Sequence, residues 1–277
     1  MPLPILDPNL RAGWEPDTPS SDSMLRAFMT NWIKLAEVEN RSHAGRSLVR
    51  DELVAFDLGR PGGFTNIVFF QTPTFPDRFD EVAAALDEFF SFSKGGPTGE
   101  VVIFSPWITP DLRPYGWNLM GHPPLMLRAA GGELPPLPDG LRIEEVRSEE
   151  SLRYFEQVMI RGFPFEELIG LAPGSTFSPR MLEYDHLKIW LGWDGDQPVA
   201  GALASVDEGI NHVHAIATVP EARRRGYGAA LTWQATLADP SLPSVLIASD
   251  DGRPVYQKMG YLPLFRFTGW WRARPGA

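Results

Sequence analysis

The sequence predicts an α+β fold, with a mixed, mostly antiparallel central sheet flanked by helices over residues 141–277 and a second α/β domain over residues 1–132. Three observations carry this expectation. The run HLKIWLGWDGDQPVAGALASVDEGINHVHAIATV contains three β-rich stretches broken at Asp194–Gly195 and Asp207–Gly209, dipeptides suited to tight turns between antiparallel strands. On both sides of it, segments with apolar residues at helical spacing alternate with short apolar strands. Between the two parts lies AAGGELPPLPDG, Ala129 to Gly140, whose small residues, glycines and prolines offer little to bury and mark the domain boundary.

Residues 1–21 are rich in proline and polar side chains and read as an arm over the surface. Leu25, Phe28, Met29, Trp32, Ile33 and Leu35 then recur at helical spacing behind Ser23 as cap. DELVAFDLG and GGFTNIVFFQT are apolar segments punctuated by glycine and read as strands. DRFDEVAAALDEFFSFSK sets Phe79, Val82, Leu86 and Phe89 on one side of a second helix. GEVVIFSPWI is a further strand, and LRPYGWNLMGHPPLMLR a short helical piece running into an extended end. After the boundary, LRIEEV alternates as a strand does, and SEESLRYFEQVMIRGF places Leu152, Phe155, Val158 and Met159 on a helix capped by Ser148. An irregular stretch from Pro164 to Pro179 leads into the three β-rich runs. GYGAALTWQATLA is a helix stopped at Asp239–Pro240, PSVLIASD a buried strand, GRPVYQKMG a short helix and YLPLFRFTGWWRA a closing extended segment.

Composition narrows the function. The net charge is −10, and general nucleic-acid binding needs a surplus of Lys and Arg, so no nucleic-acid partner is expected. There is no cysteine, which excludes a disulfide scaffold, a cysteine nucleophile and thiolate-bound metal; no metal is expected, and a cytoplasmic location fits. No basic segment leads an apolar run at the N-terminus and no stretch approaches a membrane span, so neither signal peptide nor membrane partner is expected.

Against this acidic background, TVPEARRRGYGAAL puts Arg223, Arg224 and Arg225 between a strand ending at Val219–Pro220 and a helix beginning near Gly226. Taken alone, such a run can decorate a solvated helix entrance or receive an anion. A helix N-terminus offers unpaired N–H groups and the positive end of its dipole. Gly226 and Gly228 let an anion reach the backbone, and arginines can clamp it from outside. A pyrophosphate suits such a turn. The stretch resembles the coenzyme-A signature of the GNAT superfamily of N-acetyltransferases, V/T-x-P-x-x-R/Q-x-x-G-x-G/A. Downstream, LIASDDGRPVYQKMGY is similar to the family's next strand and helix with their Y-x-x-x-G-F/Y ending. The resemblance covers residues 141–277.

It implies a GNAT fold with acetyl-CoA as co-substrate. Ile216, Ala217 and Thr218 would pair with the pantetheine arm as an added strand, and Arg223, Arg224, Arg225, Gly226, Tyr227, Gly228 and Ala229 would hold the pyrophosphate, mainly through backbone N–H groups. A bulge would splay this strand and free an amide for the thioester carbonyl. Tyr256 matches the general acid, and Ser249 stands where many members carry Asn, with shorter reach toward pantetheine or the sulfur.

The base is read from the residues instead. Strand alternation puts His212 and His214 on one face with Ile216 and Thr218, making His214 the candidate. Asp207 and Glu208, in the preceding turn, would suit a cationic amine. The first half repeats the rhythm of helices and strands without such a turn; it resembles a degenerate GNAT half, with an unrelated α/β cap as the alternative, and Trp32, Phe104, Trp107 and Trp117 are its candidates for shaping acceptor selectivity. The expected function is transfer of acetyl from acetyl-CoA to a primary amine, on a small molecule or peptide, by direct attack in a ternary complex. The alternative is a non-catalytic module that binds or senses acyl-CoA.

Overall fold

The computed structural model describes residues 24–59, 66–73, 76–91, 100–163 and 168–273, and arranges them as two sheets. The expected N-terminal arm, the Ser23 cap and part of the Pro164–Pro179 stretch lie outside the described residues. The first half contributes α1 (Met24–Ser42), β1 (Arg46–Val49), β2 (Leu53–Asp57), β3 (Ile67–Phe70), α2 (Phe79–Ser91), β4 (Glu100–Ser105), β5 (Asn118–Gly121) and β6 (Pro124–Arg128). The second contributes β7 (Leu141–Glu145), α3 (Glu149–Gly162), β8 (Leu187–Asp194), β9 (Gln197–Asp207), β10 (Ile210–Thr218), α4 (Tyr227–Thr236), β11 (Ser244–Ile247), α5 (Arg253–Lys258), β12 (Leu262–Arg266) and β13 (Thr268–Ala273). Ser148 caps α3 in a reciprocal pair with Ser151, as its sequence predicts, an arrangement worth about 1 kcal/mol. β1 escapes the sequence reading because it is a mostly exposed edge strand without an apolar face.

Sheet pairing crosses the expected domain boundary in both directions. One sheet runs β1-β2-β3-β4-β13-β5 and the other β12-β6-β11-β10-β9-β8-β7. β6, from before the boundary, lies between β11 and β12, while β13, from the end of the chain, lies between β4 and β5. The closing segment that reads as one extended run is therefore two strands of two different sheets. Leu125 and Met126 of β6 and Phe267 beside β13 are fully buried, so each half completes the other's core as well as its ladder.

Helix α1 lies between the sheets. Phe28 and Trp32 join Phe56, Phe69 and Phe104 of the first sheet to Ile210 and Val245 of the second in one aromatic cluster. Asn31, fully buried, donates from Nδ2 to the carbonyls of Ser205 and Asp207, each at 3.1 Å. Its Oδ1 then faces His212 Nδ1 at 3.1 Å, which must donate; the pair fixes the imidazole tautomer. These bonds satisfy buried polar groups where the halves meet.

β10 departs from regular alternation. His214 sits opposite Leu203 and Ala217 opposite Gly201, so three residues of β10 span two of β9, and Ala215 takes a left-handed φ of +47°. This bulge corrects the expectation that His212, His214, Ile216 and Thr218 share a face. The extra residue reverses the phase. Ala217 turns toward α3, where its Cβ would lie 2.7 Å from a Cβ placed on Gly162, and Thr218 turns toward α4, its Oγ1 lying 2.8 Å from where Gly228 would carry one.

Candidate active site

The parallel ladder of β10 and β11 pairs Asn211 with Ser244 and His212 with Val245, and ends there. Beyond it the bulged end of β10 diverges from its neighbour, and a cavity of about 670 Å³ opens at the splay. That volume falls in the range of ordinary small-molecule sites. Its walls come from both halves: Phe28, Trp32 and Phe104 face it from one side, and Met159, Ile216 and Tyr256 from the other.

At the far end of β10 lies the arginine turn. Gly226, at φ +85°, caps α4, and the helical ladder opens with Ala230 N donating to Gly226 O at 3.0 Å. The N–H groups of Tyr227, Gly228 and Ala229 are the unpaired amides of the first turn, the donors an anion requires. The close approach of Gly228 to Thr218 leaves a side chain no room here, so the glycine keeps the backbone bare.

The three arginines divide in role. Arg223 donates to Gly162 O at 2.9 Å and Thr218 O at 3.2 Å, tying the end of α3 to the end of β10. Arg225 pairs with Asp194 at 2.5 Å and stacks 4.7 Å above the ring of Tyr227, itself fully buried. Arg224, at φ +64°, is exposed and makes no hydrogen bond or ion pair among the described residues.

Tyr256 lines the cavity from α5. Its ring packs so closely on Gly252 that a Cβ there would lie 2.8 Å from Cε2, and burial pushes the phenol up to about 12. The hydroxyl therefore keeps its proton at neutral pH. Ser249 also lines the cavity, and its Oγ accepts from Gly252 N at 3.1 Å, which commits it to starting α5.

His212 and His214 both face the cavity, but burial holds His212 well below the usual imidazole range and His214 down to about 4. His214 is thus neutral at working pH and a weak proton acceptor. Asp207 and Glu208 stand apart from the cavity walls. Both pair with Lys34 of α1, Asp207 at 2.9 Å, and so fasten α1 to the β9–β10 turn rather than face an amine.

Of the aromatic residues singled out in the first half, Trp32 and Phe104 line the cavity. Trp117 is buried beneath the Arg272 guanidinium, and Trp107 is partly exposed elsewhere. Several polar cavity groups escape the sequence reading, among them Glu39 and Thr176 as well as His122, Asp250 and Arg266. Glu39 lies on the α1 face that carries Trp32 and Ala36, and Thr176 lies on an irregular stretch where no periodicity points to it. Among the described residues no group of three or more His, Asp or Glu is placed to hold a metal, and no helix is long and apolar enough to cross a membrane.

Comparison with known proteins agrees with this geometry. Residues 152–261 match the acetyltransferase (GNAT) family model. No curated protein matches the chain. Similar solved structures include a GCN5-related N-acetyltransferase from Kribbella flavida, 20% identical with a TM-score of 0.63, covering 88% of this chain and 95% of that one. Another, from Sphaerobacter thermophilus, is 13% identical with a TM-score of 0.51 and covers 82% of each chain. A GCN5-related N-acetyltransferase-like protein from Streptococcus suis 89/1591 is 13% identical with a TM-score of 0.52, covering 89% of this chain and 100% of that one. At these identities the likeness is one of fold, and it extends over both halves. The segment that matches the GNAT acetyltransferase family model contains the bulged strand, the arginine turn and Tyr256.

Proposed function

We propose that the protein transfers the acetyl group of acetyl-CoA to a primary amine by direct attack in a ternary complex. The observation that supports this best is the bulged end of β10, which leads from the cavity wall at Ala215–Ile216 to Thr218 and, through the short helical turn Pro220–Ala222, to the arginine turn at Arg224–Gly228. A pantetheine arm carries two amides that need partners, and the edge of β10 beyond His212, from Ile216 through Ala217 to Thr218, can supply them. The N–H groups at the start of α4 and the exposed Arg224 would hold the pyrophosphate, with Arg223 and Arg225 bracing the turn. Acetyl-CoA supplies an activated acyl group.

The chain's own residues do the rest. The freed backbone at the bulge polarises the carbonyl, and the Tyr256 hydroxyl gives its proton to the departing sulfur. Ser249 orients the start of α5 and hence Tyr256. A cytoplasmic setting suits a cysteine-free chain of this chemistry. Release of free CoA from acetyl-CoA across a panel of polyamines, aminoglycosides, amino acids, aralkylamines and peptides tests the proposal. Tight binding of acetyl-CoA without CoA release for any amine would identify an acyl-CoA sensor instead.

A further inference from the structure

The cavity contains a carboxylate to which the reading above gives no role. Glu39 projects from α1 on the stripe formed by Phe28, Trp32 and Ala36, at intervals of four, four and three residues, and all four line the cavity. Its carboxylate makes no ion pair or hydrogen bond among the described residues. A half-buried carboxylate without a partner is held partly out of water, and a protein that keeps one in a cavity gives a cation a reason to enter. A second cavity group points the same way: Thr176 Oγ1 is buried without a hydrogen-bond partner. The surrounding wall is aromatic and aliphatic, with Phe104, Phe177 and Leu168 beside the α1 stripe.

We infer that Glu39, supplied by the N-terminal half, receives the ammonium group of the acceptor and takes its proton, and that the acceptor is a primary amine on an apolar body of aromatic size. This rests on the acetyl-transfer reading. The protons balance as follows. Glu39 removes one from the ammonium, leaving a neutral amine whose lone pair forms the C–N bond as the C–S bond breaks. Tyr256 protonates the thiolate and regains its proton from the nitrogen, now an amide, and Glu39 returns the first proton to water.

Burial raises the Glu39 carboxyl to about 7, which suits a group that must bind a proton and release it within one turnover. The other titratable groups facing the cavity are His122, His212, His214, Asp250, Tyr256 and Arg266. Both β10 histidines are held neutral, Asp250 and Ser249 are exposed, and Arg266 is engaged with His122 O at 2.7 Å.

The test uses the full chain at about pH 8, where Glu39 is ionised. Equilibrium binding of 2-phenylethylamine and of the neutral 2-phenylethanol is measured in the wild type, Glu39→Gln and Glu39→Asp, together with CoA release and acetyl-CoA affinity. The expected result is a preference for the amine of about tenfold or more in the wild type, lost in Glu39→Gln and partly restored in Glu39→Asp. CoA release should fall roughly 100-fold or more in Glu39→Gln, with acetyl-CoA affinity unchanged. No preference in the wild type, or an equal preference in Glu39→Gln, overturns the inference. Equal CoA release by wild type and Glu39→Gln overturns it too and leaves acetyl transfer standing. A Glu39-dependent preference with no CoA release for any amine supports the ammonium site and removes acetyl transfer. Glu39→Gln is nearly isosteric, and coincident melting curves show that the comparison is between folded proteins.

Discussion

The two halves share a wiring diagram and differ at one corner of it. In each, three antiparallel strands lead to a parallel neighbour across an intervening helix: β1-β2-β3 to β4 past α2, and β8-β9-β10 to β11 past α4. Each sheet then takes a strand from the other half next. In the first half, β3 stays paired with β4 over Ile67↔Val102, Val68↔Ile103 and Phe69↔Phe104, its register against β2 is regular, and all four of its residues are buried. In the second, a bulge at Ala215 ends the pairing early and a glycine cap exposes helix amides. One inserted residue and two glycines distinguish a closed sheet corner from an open one. The closed corner is not idle: its Phe69 and Phe104, through Trp32 at 4.9 Å from each, form the back wall against which the cavity is built.

The comparison breaks first at the exchanged strands. If β6 is integral to the second sheet, residues 141–277 expressed alone lack the strand between β11 and β12 and should show no cooperative melting transition, whereas the full chain unfolds in a single one. A cooperative melt of the isolated fragment, followed by circular dichroism, would show that the exchange is dispensable. The sequence conceals this feature. PLMLR and TGWWRA read as strands, but strand propensity says nothing about which sheet a strand joins, and the Pro- and Gly-rich linker marks a change of composition that chain topology ignores.

Tyr256 offers the next largest effect, and the first half supplies its control. Tyr115 lies in the short helical turn between β4 and β5, where Tyr256 lies on α5 between β11 and β12, yet its hydroxyl is exposed and donates to Asp80 at 2.6 Å. Tyr256→Phe should lower turnover by roughly 10²–10⁴-fold and leave acetyl-CoA affinity unchanged, the pattern of an interaction made in the transition state. Tyr115→Phe should leave turnover alone. Since the Tyr256 phenol is protonated below about 12, it should produce no falling limb in the rate across neutral to mildly alkaline pH. Wild-type turnover in Tyr256→Phe would remove it from the mechanism.

Gly228→Val should weaken acetyl-CoA binding by roughly tenfold to a hundredfold, by filling the bare backbone at the start of α4. The new Cβ also meets Thr218 Oγ1, 2.8 Å away, so the loss has two possible sources. Combining it with Thr218→Ala separates them: recovery of affinity in the double variant assigns the loss to strain, and none assigns it to ligand access. Calorimetry should find one acetyl-CoA per chain, since the β3–α2 connection carries no equivalent of Gly226. This much was legible in advance, because backbone recognition requires glycine at fixed spacing and leaves a motif. The acceptor side was not. Glu39 on α1 reads as an ordinary solvated helix acid until the fold sets its stripe against β10.

The smallest effect separates the arginines that looked alike in sequence. Arg223 and Arg225 spend their guanidinium groups on Gly162, Thr218, Asp194 and Tyr227, so replacing either loosens the turn as well as removing a charge. Arg224 alone of the three points outward without a partner among the described residues. Its contribution to an anion is that of an exposed charge in water, screened within about 10 Å at ordinary ionic strength. Arg224→Ala should therefore weaken acetyl-CoA binding only about twofold to tenfold, with the difference from wild type shrinking as salt rises and the melting temperature unchanged. Arg225→Ala, by contrast, should lose thermal stability in the absence of ligand because Asp194 is left unpaired. A larger, salt-independent loss in Arg224→Ala would mean that its side chain is drawn into a desolvated contact when the ligand binds, and the turn would then owe its affinity to a closing arginine as much as to its amides.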